Sequence, residues 1–360
     1  MHKCDRAYLH QSFLSFTIHN VQKTMKVCIV GAGAIGGYLA VKLAQVGVDV
    51  SVIIRGANLA AVKARGMKLI DQAGESTASH ITATDRIAEV GPQDVVILTM
   101  KAHQVTAVAA QLQPLLGPST SIVTMQNGIP WWYFQKHGGE FEGRRLESVD
   151  PAGTIADHID IARVIGSVVY PACELAAPGV IRHIEGNRFP LGELDGSESQ
   201  RVQEIAAVFK QAGLKSPVLT DIRSEIWLKL WGNLTFNPIS ALTQATLVDI
   251  CQFPQTRALA AHMMTEAQTI ANKLGVEFRV SLERRIAGAE AVGKHKTSML
   301  QDVESGRALE IDALVGSVIE LGRLTQTPTP HIDAVYACTK LLANTLRDSA
   351  GRLQISPTNS

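Results

Sequence analysis

The chain has 360 residues, 46% of them apolar, with 34 basic against 33 acidic side chains and a formal net charge of +1. That length suits two domains, and the apolar fraction excludes a disordered chain. No uninterrupted apolar run is long enough to span a bilayer, and the near-neutral charge leaves no electrostatic footprint for nucleic acid or an anionic membrane.

Residues 1–24 differ in texture from the rest of the chain. Gln11, Ser12, Ser15 and His19 break up the apolar stretch that a secretory signal would need. The segment therefore reads as an extension outside the fold, with a short targeting segment as the alternative. From Met25 the pattern becomes regular. Lys26–Val30 is a short apolar run stopped by Gly31, as in a strand buried on both faces. Ala34–Val46 has helical spacing and ends at Gly47. Val48–Ile54 reads as a second strand, Asp94–Met100 as a third, Val105–Leu116 as a helix and Thr120–Met125 as a further strand. This alternation predicts a doubly wound parallel sheet.

Beyond Gln126 the texture changes. Residues 138–153 are polar and glycine-rich, which predicts an exposed loop or insertion. Val164–Tyr170, Val180–Ile184 and Arg188–Leu191 read as closely spaced strands suited to antiparallel pairing, capping the first sheet. Ser197–Ala212 reads as a helix and Lys215–Leu219 as a last short strand. From Asp221 to Leu346 almost everything has helical spacing. The expected division is thus a dinucleotide-binding domain over 25–220, an all-helical substrate and catalytic domain over 221–350, and a polar tail at 351–360. The five cysteines are scattered and form no CxxC, so they read as reduced thiols of a cytoplasmic protein rather than a disulfide frame or zinc site. The expected partner is a small molecule.

Gly31-Ala32-Gly33-Ala34-Ile35-Gly36 fits GxGxxG between a strand and a helix. Gly31 permits the turn, Gly33 lets backbone approach a pyrophosphate, and Gly36 lets the helix pack close, while the helix N-terminus offers free N–H groups. A glycine turn without nucleotide is the alternative. The second strand ends at Arg55 with no carboxylate for a ribose 2′-hydroxyl, which favours NADPH over NADH, unless Arg55 is a solvated strand-end charge. Lys101 and Asn127 follow later strands and point to the same sheet edge, where ligands bind in open α/β sheets. His103 has no second ligand at metal spacing and reads as a surface or supporting residue. In 224–237, Lys229, Asn233 and Asn237 lie at i, i+4 and i+8, drifting only about 80° around a helix. Aligned on an apolar helix, they are costly to bury unless they serve a site. Pro238 predicts a kink or stop at Asn237.

Together, GAGAIG (31–36), Arg55, TMKAHQ (99–104), QNG (126–128), EIWLKLWGNLTFNP (225–238), SMLQD (298–302) and LEID (309–312) make the chain resemble the ketopantoate reductase (2-dehydropantoate 2-reductase) family, from Met25 to about Arg347. The resemblance implies a C-terminal domain like that of 6-phosphogluconate dehydrogenase and a cytoplasmic NADPH-dependent reductase of pantothenate and coenzyme A biosynthesis, acting as a monomer or homodimer. It implies that Lys229 is the catalytic lysine and that Asn233, Asn237 and Ser298 hold the substrate's hydroxyl and carboxylate. Glu310 would contact both cofactor and site, Lys101 and Asn127 would contact the cofactor, and Ala172 would offer a backbone contact near the nicotinamide. Leu247 stands where some members carry a substrate-binding Asn, and residues 130–134 (PWWYF) and the insertion after them depart from the pattern. Those departures bear on substrate identity, so a bulkier 2-oxo acid stays open, with the aromatic run either lining its pocket or serving as core. A non-catalytic NADPH sensor is the remaining alternative; it would be expected to have lost its proton donor, and Lys229 is present.

Overall fold

The computed structural model describes residues 24–349, so Met1 to Lys23 and the 351–360 tail lie outside the described residues. The chain opens with β1 (Lys26–Val30), α1 (Ala34–Ala44), β2 (Asp49–Ile53), α2 (Gly56–Arg65), β3 (Met67–Asp71), β4 (Gly74–Ala78) and β5 (Thr82–Thr84). It continues with β6 (Gln93–Leu98), α3 (Ala102–Ala109), β7 (Leu116–Thr124), α4 (Thr154–His158) and β8 (Val164–Ser167). Then come β9 (Ala172–Ala177), β10 (Val180–Glu185), β11 (Leu191–Glu193) and α5 (Gln200–Gln211).

Seven strands form one sheet in the order β11-β8-β7-β6-β1-β2-β5, parallel throughout except for the antiparallel edge strand β11. This is the doubly wound arrangement expected, with β1 inside the sheet between β6 and β2. The hydrophobic run of β1 is buried from Val27 to Val30, because strands flank it and helices cover both faces. A second sheet, β4-β3-β10-β9, packs against the other side of α1. Helix α1 is therefore held between two sheets. Its sequence shows this: Gly36 faces β1, where a side chain would press on Ile29 at 3.1 Å, and Gly37 faces β10, where it would press on Ile181 at 2.6 Å.

Several expectations need correction. The stretch between Ile54 and Asp94, left unassigned by periodicity, holds α2 and three short strands. The three closely spaced strands do not cap the first sheet as a group. β8 joins it parallel to β7, β11 closes its edge antiparallel to β8, and β10 pairs with β9 and with the distant β3 in the second sheet. Residues 215–219 make only isolated bridges, at Lys215 and Val218. Helix α3 starts at Ala102, three residues before the expected start, because Gln104 caps the Lys101 N–H at 3.1 Å. The 138–153 loop is exposed over most of its length but not free: Leu146, Val149 and Asp150 are buried, and Glu320 accepts the N–H groups of Glu147 and Ser148.

The rest is helical: α6 (Ile222–Thr243), α7 (Leu247–Gln252), α8 (Pro254–Lys273), α9 (Leu282–Ala291) and α10 (Ser298–Glu304). A π-helical turn over Asp312–Gly316 leads into α11 (Ser317–Leu324), and α12 (Pro330–Asp348) closes the domain. Helix α6 does not stop at Pro238 but runs through it to Thr243. An interior proline costs about 3 kcal/mol. Here Trp227, Leu230, Trp231, Leu234, Phe236 and Ile239 are all buried on the same helix, which packs on α8, α10 and α12. At about 1.5–3 kcal/mol for each buried large side chain, packing outweighs the local penalty. Trp231 fixes the arrangement by donating to the Met264 carbonyl of α8 at 2.8 Å. No helix among the described residues is long and apolar enough to cross a membrane.

Candidate active site

The glycine turn sits at the carboxyl end of β1. Gly31 has φ +86°, and a side chain there would collide with the Met100 backbone, so only glycine fits. Thr99 braces the turn, its hydroxyl donating to the Gly31 carbonyl at 3.0 Å. Ala32 is buried beneath, whereas Gly33, Ala34 and Ile35 remain partly exposed. A Cβ at Gly33 would meet nothing nearer than the Gly31 carbonyl at 3.9 Å. Helix α1 has no side-chain cap and no acidic residue in its first turn, so its amide end stays open to an anion. Arg55, exposed at the end of β2, opens α2. Its side chain forms no hydrogen bond or ion pair among the described residues. A bare concave turn with a free guanidinium on the neighbouring strand fits a phosphorylated dinucleotide.

Facing this edge is a small cleft lined by Asn127, Gly128, Val169, Ile226, Lys229 and Asn233. A wider groove beside α5, near Gln203, Lys210 and Ser216, holds none of these groups. The Lys229 ammonium donates to Asn127 Oδ1 at 2.6 Å and to the Val169 carbonyl. The Asn127 amide in turn donates to Glu310 Oε2 at 3.5 Å, and Glu310 Oε1 accepts the Ala102 N–H at 3.1 Å. Lysine, carboxamide, carboxylate and helix N-terminus thus form one chain across the two halves. Burial lowers the Lys229 pKa to about 8, and the Glu310 carboxylate opposes that fall.

The junction depends on Gly128. Its φ is +89°, and a Cβ would overlap the Ala313 carbonyl oxygen, which accepts the Ile129 N–H at 3.0 Å. The π-helical turn presents that carbonyl, and Ser317 also donates to it at 2.7 Å.

Of the residues singled out from sequence, Lys229, Asn233, Asn127 and Glu310 come together here. Asn237 is buried one turn further along α6, donating to the Ser298 hydroxyl at 3.3 Å at the start of α10. Ala172 opens β9, three residues after Val169. Leu247 starts α7. Lys101 is engaged elsewhere, bound to Asp302 at 2.6 Å and to the Ala308 carbonyl at 2.8 Å. His103 lies in the first turn of α3, where burial lowers its pKa against the pull of Glu310. Trp131, Trp132, Tyr133 and Phe134 are buried core: Trp132 donates to Thr124 at 2.8 Å, and Tyr133 accepts from Trp227 at 2.7 Å. Sequence reasoning missed Val169, whose carbonyl carries no side-chain signal, and Asp302, although it closes the SMLQD motif.

Residues 27–196 match the family model described as ketopantoate reductase PanE/ApbA, and residues 221–343 match its C-terminal counterpart. A 2-dehydropantoate 2-reductase from Mesorhizobium japonicum is 58% identical over 320 residues, covering 89% of this chain and 98% of that protein. A crystal structure of a provisionally assigned ketopantoate reductase from Ralstonia solanacearum superimposes with a TM-score of 0.86 at 43% identity, covering 90% of this chain and 99% of the other. The 2-dehydropantoate 2-reductase from Geobacter metallireducens gives a TM-score of 0.77 at 27% identity, covering 88% and 100%.

Proposed function

The chain belongs to the ketopantoate reductase family, and from that premise we propose that it reduces 2-dehydropantoate to pantoate with NADPH, in the cytoplasm, as a monomer or homodimer. The observation that carries this reading is the hydrogen-bonded chain from Lys229 through Asn127 to Glu310, set in a cleft at the same sheet edge as the glycine turn. Gly31, Gly33 and the first turn of α1 would hold the pyrophosphate, and Arg55 a 2′-phosphate. When bound, NADPH supplies the hydride that reduces C2 of the keto acid.

The chain's own residues do the rest. Reduction at C2 places negative charge on the carbonyl oxygen, so a nearby cation lowers the barrier. Lys229 polarises that oxygen and then gives up its proton to it, leaving a neutral amine and a 2-hydroxy acid. A pKa of about 8 suits the task, since the donor is charged at neutral pH yet releases its proton readily. Glu310 keeps it charged, and Asn127 fixes its direction. Asn233, Asn237 and Ser298 supply neutral donors and acceptors for the substrate's hydroxyl and carboxylate.

The reading with a bulkier 2-oxo acid loses its main support, because the aromatic run at 131–134 is packed away from the cleft. NADPH oxidation measured with 2-dehydropantoate beside branched and aromatic 2-oxo acids tests the assignment; faster turnover of another acid would overturn it. Lys229→Ala should abolish turnover while leaving NADPH binding nearly intact, and intact turnover would refute the role of Lys229.

A further inference from the structure

Helix α9 lays Arg285 across α6 beside the lysine. A Cβ on Gly232 would lie 3.0 Å from the Arg285 Cζ, so the guanidinium rests on the backbone that the missing side chain exposes. Gly232 is three residues beyond Lys229, which makes the two neighbours on the surface of the helix. Arg285 is half-buried, its Nε is sealed from solvent without a hydrogen-bond partner, and its side chain forms no ion pair among the described residues. The group it senses is the Tyr170 phenol, next to Val169, whose carbonyl receives Lys229.

Other half-buried arginines among the described residues are answered. Arg223 donates to the carbonyls of Tyr133, Leu194 and Gln135, and Arg201 makes a two-pronged pair with Glu193. The nearest carboxylate to Tyr170, that of Glu225, is already held by the Tyr170 hydroxyl and by Arg188. A desolvated cation is costly unless an anion meets it. Burial accordingly lowers the Arg285 pKa from its ordinary value, with no carboxylate to oppose it.

We propose that Arg285 adds a cation to the neutral donors that hold the substrate's carboxylate, pairing with it while Lys229 addresses the adjacent carbonyl, and that it thereby selects 2-oxo acids over neutral carbonyl compounds. The proposal deepens the reductase reading and rests on it. A planar guanidinium fits a carboxylate through two parallel hydrogen bonds, which a lysine ammonium does not match.

The test compares wild type, Arg285→Met and Arg285→Lys with 2-dehydropantoate and with its neutral methyl ester. Charge-assisted pairing predicts that Arg285→Met raises KM for the acid by about 10- to 100-fold, with a smaller effect on kcat. Its activity on the ester should stay within about threefold of wild type. Arg285→Lys should fall between the two and also guards against a folding failure of the methionine variant. Equal losses on acid and ester, or an unchanged KM for the acid in either variant, would overturn the proposal. Oxamate supplies a readout free of turnover: it should raise the melting temperature of the NADPH-loaded wild type and not that of Arg285→Met. Wild type that binds oxamate through Arg285 but does not turn over 2-dehydropantoate would refute the reductase assignment and leave the carboxylate anchor standing. Oxamate shifts that are equal in wild type and variant would refute the anchor alone.

Discussion

Replacing Lys229 with Met should change how stability depends on pH. In the folded protein the Lys229 pKa is lowered from 10.5 to about 8, chiefly by burial. At about 1.4 kcal/mol per pH unit, that gap means that folding the charged lysine costs about 3 kcal/mol. Between those two values the unfolded chain holds the proton and the folded chain has released it, so wild-type stability rises with pH there. The cost is fully present below pH 8 and has gone above 10.5. Lys229→Met removes it altogether but leaves the Asn127 and Val169 oxygens without their donor, a loss of about 1–3 kcal/mol each that does not vary with pH. The diagnostic quantity is therefore the slope. Denaturant unfolding in a series of buffers should show wild type gaining roughly 2 kcal/mol on the variant between about pH 7 and 9.5. A difference that stays flat across that range would refute the claim that a desolvated ammonium sits in the cleft.

Three further outcomes are expected. Because Lys229 must be protonated to serve as donor, kcat/KM for keto-acid reduction should fall as pH rises through about 8, and a plateau to pH 10 would argue for another proton source. Arg55→Ala should weaken NADPH binding about 10- to 100-fold while changing NADH little, measured by fluorescence titration; equal losses would show that Arg55 does not read the 2′-phosphate. Gly128→Ala combines a left-handed backbone with an overlap on the Ala313 carbonyl. The dihedral alone costs about 1–2 kcal/mol, so the melting temperature should drop by several degrees, and an unchanged melting curve would contradict the packing described.

The sequence made some of these features plain and hid others, for physical reasons. β1, α1 and β2 were legible because a glycine pattern needs a strand before it and a helix after it. The Lys229 stripe was legible because helical spacing alone puts 229 and 233 on one face. The second sheet was hidden, since β3 pairs with β10, more than a hundred residues away, and β4 (GESTA) has no alternating apolar pattern. Of the kink or stop that Pro238 suggested, the stop does not occur, because local propensity was read without the packing that carries the helix on to Thr243. Asn127 carried a cofactor expectation from its place after a strand, yet only the fold reveals that its amide links Lys229 to Glu310. Arg285 sits in LERRIAG beside an exposed Arg284, where nothing local distinguishes a solvated cation from a covered one.

The clamping of α1 between its two sheets has a mechanical consequence. A helix wedged on both flanks, through Gly36 and Gly37, has no slack with which to follow an arriving ligand. The dinucleotide end is in effect the stationary jaw of a vice, and any travel belongs to the helical half. Such travel has to work against a shared apolar core, in which Trp132 and Tyr133 pack with Trp227 and Leu230, and against polar ties such as those from Lys101 to Asp302, from Ala102 to Glu310 and from Ile129 to Ala313.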